Sequence, residues 1–224
     1  MMERFSKPSY ALGLLGLAMA VIPLNDALIK IMSSSISLGQ VVAVRAMISL
    51  ILVLLVSDGL RVMINLSPPI FWQFVGRAMC LVFAMLLFFV SLGSLPLANV
   101  IAIFFVAPLI ITLLSVPLLG EKIGVHRLAS VSAGMIGVLV IIQPGGTEFQ
   151  KENLLVIGAA ASYALFQIWT RRLKADGSLS AMVAVQHLCY FLVGALMVSA
   201  NVIWPMPPTG NASLDFLMRG PVVM

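Results

Sequence analysis

Chemistry in this 224-residue sequence has to come from the few polar side chains set inside long apolar runs. The run from Tyr10 to Ile29 holds Asn25 and Asp26, and Lys30 follows Asp26 by four residues, on the same face of a helix. The next run, Leu38 to Ser57, holds Arg45. An aspartate can hold an amine or a proton, and an arginine can hold a carboxylate through paired hydrogen bonds. A charge near the centre of a bilayer costs about 2.5 to 3.5 kcal/mol on insertion scales, so each needs a partner or a role. Asp26 and Arg45 therefore read either as lining one half of a central cavity or as an ion pair that ties two helices together. Later in the chain, Tyr163, Gln167 and Trp169, then Gln186 and His187, are the corresponding polar or aromatic candidates.

Other positions call for structural readings. Arg77 lies near one end of its run and is expected to snorkel to the interface. Pro108 removes a backbone hydrogen bond within its run and is expected to kink it, as a bending point for gating or as a shaper of the bundle. Gly13, Gly16, Ala20, Ser130, Gly134, Gly137, Gly158 and Ser162 are small residues at helical spacing that let helices approach closely. The sequence carries no HExxH, GxSxG, Walker loop or paired-aspartate motif, so no catalytic residues are assigned and the protein is not expected to be an enzyme. Cys80 and Cys189 sit singly in apolar runs, which gives neither a metal set nor a disulfide framework; no metal and no cofactor are expected.

These residues must be positioned by membrane-spanning helices. The composition is 61% hydrophobic and 9% charged, with a mean hydropathy of +1.12, whereas soluble domains carry about 25% charged residues. Seven apolar stretches are long enough to consider as spans: Tyr10 to Ile29, Leu38 to Ser57, Ile70 to Leu92, Ala98 to Leu119, Leu128 to Ile142, Leu154 to Thr170 and Leu179 to Trp204. Turn formers separate them at Asp58-Gly59, Ser67 to Pro69, Gly93 to Pro96, Gly120, Pro144 to Gly146 and Asp176 to Ser178. The expected fold is an all-α, multi-span helical bundle with the lipid bilayer as its solvent.

The net charge of +5 does not form a basic patch interleaved with aromatics, so nucleic acid is not an expected partner. It follows the loops instead. Arg4, Lys7, Arg61, Lys122, Arg127, Arg171, Arg172 and Lys174 fall on one set of alternate loops, and Lys30 and Lys151 on the other. This predicts a cytoplasmic N-terminus. A cleaved signal peptide is the alternative, since Ala18-Met19-Ala20 has the form of a cleavage site, but the apolar run continues to Ile29.

An offset of 141 residues brings Ser37-Leu38 over Ser178-Leu179 and Val42 to Val44 over Val183 to Val185. Spans one and two then match spans six and seven, with Asp26 over Gln167 and Arg45 over Gln186. Five intervening helices would invert the second copy, the inverted repeat common among secondary transporters. Residues 1–147 are expected to form the first five-helix repeat and 148–224 two helices and a tail of the second, which makes the chain an incomplete carrier on this reading. A complete seven-helix protein is the alternative.

The stretch from Ser94 to Gly145, with a short turn into span four, Pro108 within it, Gly120-Glu121 at its end, Gly134 and Gly137 in span five and a Pro-Gly exit, resembles the drug/metabolite transporter superfamily in its EamA group. Asn25, Lys30, Arg45 and Arg77 fall where such members often have these types. The resemblance implies ten helices in two inverted five-helix EamA repeats and a secondary transporter that moves a small organic metabolite across the bacterial inner membrane by alternating access. The Asn25-Asp26 pair with Lys30 is similar to the first span of S-adenosylmethionine carriers, so a specific importer of S-adenosylmethionine or riboflavin is an alternative; a non-transporting membrane fragment that needs a partner is another. Asn25, Asp26, Arg45, Tyr163, Gln167 and Gln186 are the expected substrate-binding residues and Pro108 the gating kink. A metabolite with proton coupling, and a second copy of the chain, are the remaining expected partners.

Overall fold

The computed structural model describes residues 8–32, 36–56, 59–121, 124–142, 150–173, 179–203, 210 and 215–217. The predicted turns at Pro144 to Gly146 and Asp176 to Ser178, Asp58, and the basic residues Arg4, Lys7, Lys122 and Lys174, lie outside them. Among the described residues the regular structure is entirely helical: α1 (Pro8–Met32), α2 (Leu38–Val56), α3 (Gly59–Ile64), α4 (Pro68–Ser94), α5 (Leu97–Phe104), α6 (Ala107–Leu119), α7 (Val125–Ile142), α8 (Glu152–Leu173) and α9 (Leu179–Ile203).

Five stretches are long and apolar enough to cross a membrane, namely α2, α4, α5 with α6, α8 and α9. The two other predicted spans fall on α1, with 25 residues, and α7, with 18, which at 1.5 Å per residue reach about 37 and 27 Å. The short helix α3 sits in the second loop, where only a turn was predicted. Large apolar side chains such as Leu55, Ile136 and Leu196 remain exposed on the outside of the bundle, the position lipid occupies for a spanning helix.

Local chemistry sets the helix ends. Pro68 and Pro69 open α4 in its first turn, where a missing N–H costs nothing. Leu95 is held extended by the following Pro96 and stops it. At the end of α6, Gly120 adopts a left-handed conformation with φ 67°, its N–H reaches Val116 O at 3.0 Å and that of Glu121 reaches Ser115 O at 3.3 Å. This is the glycine-closed helix end anticipated for Gly120-Glu121. Glu121 then meets Arg171 at 3.5 Å, joining the ends of α6 and α8.

The most extensive helix contacts are α2 with α9 and α4 with α8, while α1 packs lightly against α4 and α5. Close approach depends on glycines other than most of those anticipated. A Cβ on Gly194 would lie 2.6 Å from Ala43 N, one on Gly39 2.9 Å from Met197 Cβ, and one on Gly76 2.8 Å from the Trp169 ring. Gly134 and Gly158 do face neighbours, Leu109 and Leu87, but Gly13, Gly16 and Gly137 face open space. Around these contacts Phe74, Val82, Leu92, Val100, Val156, Met182 and Val185 form the core.

Candidate functional site

The break between α5 and α6 shapes the site. Pro108 has no N–H to offer Phe104 O, four residues earlier, and its ring crowds that carbonyl. Accordingly α5 ends at Phe104, α6 begins at Ala107 with Pro108 in its first turn, and Val106 N bonds to Ile103 O at 3.0 Å. The kink expected at Pro108 is a two-residue turn at Phe105 and Val106, both still right-handed, within one span of Leu97–Leu119. It leaves Phe104 and Phe105 on the wall of a half-open cavity of ≈ 520 Å³ lined by α1, α2, α4, α5, α8 and α9, within the usual range for small-molecule pockets.

Part of the lining is aromatic. Phe88 meets Phe104 edge-on with centroids 5.2 Å apart, and Phe104 meets Tyr163 at 5.5 Å. Phe89 extends the row beside Phe88 at 5.7 Å. Polar groups also line it: Asp26 from α1, Arg45 from α2, and Gln186, His187 and Tyr190 from α9. Pro23, inside α1 and also on the wall, removes a further helical hydrogen bond one turn before Asp26 and was not singled out in the sequence. A planar ring can pack against the aromatic lining while ionic or hydrogen-bonding groups meet the polar residues.

Of the expected substrate-binding residues, Asp26, Arg45, Tyr163 and Gln186 share this wall. The two others stand one layer behind it. Asn25 Nδ2 donates to Asp26 Oδ1 at 3.3 Å, and Gln167 Nε2 donates to the Tyr163 hydroxyl at 2.6 Å. Gln167 thus does not take the wall position of Asp26 that the repeat alignment assigned to it, although Gln186 does stand with Arg45.

Lys30 is directed away from Asp26: its ammonium donates to the carbonyls of Leu92 and, at 2.9 Å, Leu95 at the end of α4. Asp26 forms no ion pair with Arg45 or Lys30 among the described residues. The two charges stand within electrostatic reach of each other without a close ion pair, and both side chains line the cavity. Arg77 also departs from expectation. Rather than snorkelling, it is 3% exposed, with Nε donating to Thr170 Oγ1 at 2.6 Å and its guanidinium carbon 4.3 Å from the Phe166 ring centroid. Trp169 packs on Gly76 away from the wall.

The wall residues not foreseen are mainly apolar: Phe88, Phe89, Phe104 and Phe105. On a helix that is apolar all round, lipid-facing and cavity-facing phenylalanines have the same sequence signature. Tyr190 had a usable signal, three residues after His187 and so on the same face; their rings lie 6.3 Å apart.

Residues 9–143 match the family described as the EamA-like transporter family. The chain is 30% identical over 112 residues to the riboflavin transporter of Vibrio cholerae, covering 50% of this chain and 37% of that protein. It is 28% identical over 145 residues to the S-adenosylmethionine uptake transporter of Rickettsia prowazekii, 63% of this chain and 48% of the relative. With the riboflavin transporter of Brucella anthropi it shares 31% identity over 139 residues, 61% and 48% of the two chains. The matches thus span about half or less of the length of these relatives. No solved structure gives a significant match.

Proposed function

We propose, from the premise that this chain belongs to the EamA-like transporter family, that it forms the substrate-holding part of a secondary carrier for small organic metabolites. The observation that carries the reading is the chamber itself. It is ≈ 520 Å³ and lined by edge-on and tilted aromatics together with Asp26, Arg45 and Gln186. Such a wall suits a flat heteroaromatic ring joined to a polar or charged tail. Relatives named for riboflavin and for S-adenosylmethionine uptake carry cargoes of that description, which favours import of one such compound as the specific function. Asp26 is the sole carboxylate on the wall among the described residues and is the group assigned to exchange a coupling proton.

In alternating access the same chamber opens to either face in turn. The interruption before Pro108 supplies the bending point, because the two half-spans are not joined by a continuous hydrogen-bond ladder. Residues 1–147 serve as the first inverted repeat and 148–224 as part of the second, in the bacterial inner membrane with the N-terminus cytoplasmic. Reporters fused after Asp176 should score cytoplasmic and after Gly145 periplasmic; the reverse would overturn that orientation. Cross-linking in membranes tests association with a second copy.

Uptake into proteoliposomes containing the chain tests transport. Labelled riboflavin, S-adenosylmethionine, nucleosides and amino acids form the panel. Accumulation of one class, lowered by Arg45→Ala, supports the proposal. No accumulation of any of them by correctly inserted protein counts against it.

A further inference from the structure

Among the described residues, the sole buried side-chain nitrogen or oxygen without a hydrogen-bond partner is Nη1 of Arg77. The residue is 3% exposed, and among the described residues it meets two neutral groups, the Thr170 hydroxyl and the Phe166 ring. The hydroxyl is itself committed as a donor, to Phe166 O at 2.7 Å, so it serves the guanidinium as an acceptor alone. No carboxylate among the described residues lies within ion-pair distance of Arg77. A cation held this way has its desolvation cost only partly offset. An anion brought alongside would offset that cost.

The helical register shows where that anion would come from. Arg77, Leu81, Ala84, Met85 and Phe88 follow at i, i+4, i+7, i+8 and i+11 on α4, one continuous face. All but Arg77 line the chamber. Arg77 therefore continues the chamber face one turn towards the Pro68 end of the bundle. On α8, Tyr163 lines the chamber while Phe166 and Thr170 continue its face towards Arg77. Tyr190, on the chamber wall, lies within electrostatic reach of both Arg45 and Arg77. The two arginines thus stand at different depths, Arg45 seven residues from the Leu38 end of α2 and Arg77 nine from the Pro68 end of α4.

We propose that Arg77 is a second anion-recognising position on the substrate path, receiving a carboxylate or phosphate of the cargo after it leaves Arg45 and as Phe166 and Tyr190 move aside. This rests on the reading of the chamber as the metabolite site. Its consequence is a preference for anionic over neutral cargo that depends on a residue outside the chamber wall.

The test uses the purified chain in lipid nanodiscs and two fluorescent probes with the same ring system, riboflavin and riboflavin 5′-phosphate. The wild type is expected to bind the phosphate ester at least roughly fivefold more tightly. Arg77→Gln should lower that preference at least about threefold, the remainder resting on Arg45, with the ester's affinity falling more than riboflavin's, and Arg77→Lys should restore part of it. Equal affinities in the wild type, or a preference that Arg77→Gln leaves undiminished, would overturn the proposal. So would an equal loss of both affinities with a lowered unfolding temperature in Arg77→Gln and Arg77→Lys alike, the mark of a purely structural arginine. If the wild type binds neither probe, the chamber reading itself fails.

Discussion

Gln167 donates to the Tyr163 hydroxyl at 2.6 Å from one turn further along α8, so a residue off the chamber wall fixes the orientation of one that lies on it. The hydroxyl would otherwise be free to turn with its ring against Phe104, whose centroid is 5.5 Å away. Gln167→Leu should therefore weaken ligand binding by about three- to tenfold, the loss of one hydrogen bond worth roughly 1 kcal/mol. Titration of the fluorescent flavin checks this, and the helical content by circular dichroism should stay constant.

Arg45 and Asp26 face the chamber without pairing with each other, so removal of either should leave the bundle intact. Arg45→Ala is expected to reduce transport by roughly tenfold or more, about 1.4 kcal/mol for one charge-assisted contact, at unchanged membrane insertion. Glu121→Gln, which breaks the part-exposed pair with Arg171, should alter stability by less than about 1 kcal/mol and leave transport as it was. Uptake assays on the two variants, normalised to inserted protein, separate the outcomes.

A paired substitution tests the packing. A Cβ on Gly194 would come within 2.6 Å of Ala43 N and 2.8 Å of Ala43 Cα, backbone atoms that cannot turn away. Gly194→Ala should destabilise the α2 and α9 contact by about 1 to 3 kcal/mol. Gly13→Ala meets open space and should be neutral or stabilising by up to about 1 kcal/mol through helix propensity. Thermal unfolding in detergent measures both.

Pro108→Ala restores the N–H that Phe104 O lacks. The span should then close across residues 105 and 106, slowing amide hydrogen exchange there and drawing Phe105 off the wall. Hydrogen-exchange mass spectrometry reads the first effect and flavin titration the second.

Much of the fold was legible in the sequence because spans announce themselves by length and apolarity. The described parts of the seven predicted stretches fall on helices apart from the turn at Phe105 and Val106, and the ends at Pro68 and Gly120 follow from residues with fixed backbone preferences. The site was half legible. Asp26, Arg45, Tyr163 and Gln186 stood out as polar residues in apolar surroundings, and all four reach the chamber. Gln167 stood out equally but points to Tyr163, because periodicity gives a face and not a depth. Phe88 and Phe104 were invisible for the opposite reason: lipid and cavity select the same side chains. Arg77 was misread since distance from a helix end says nothing of what packs over it, here Phe166 and Thr170 from a helix about 90 residues later in the chain.

The most direct test of the chamber as the metabolite site is equilibrium binding of riboflavin and of S-adenosylmethionine to the chain in nanodiscs, with Phe104→Ala alongside the wild type. The expected result is saturable binding of at least one compound, weakened about tenfold by loss of the Phe104 ring, a stacking partner worth roughly 0.5 to 1.5 kcal/mol beyond its buried area. Binding that is absent for both, or that is indifferent to Phe104→Ala, would contradict it.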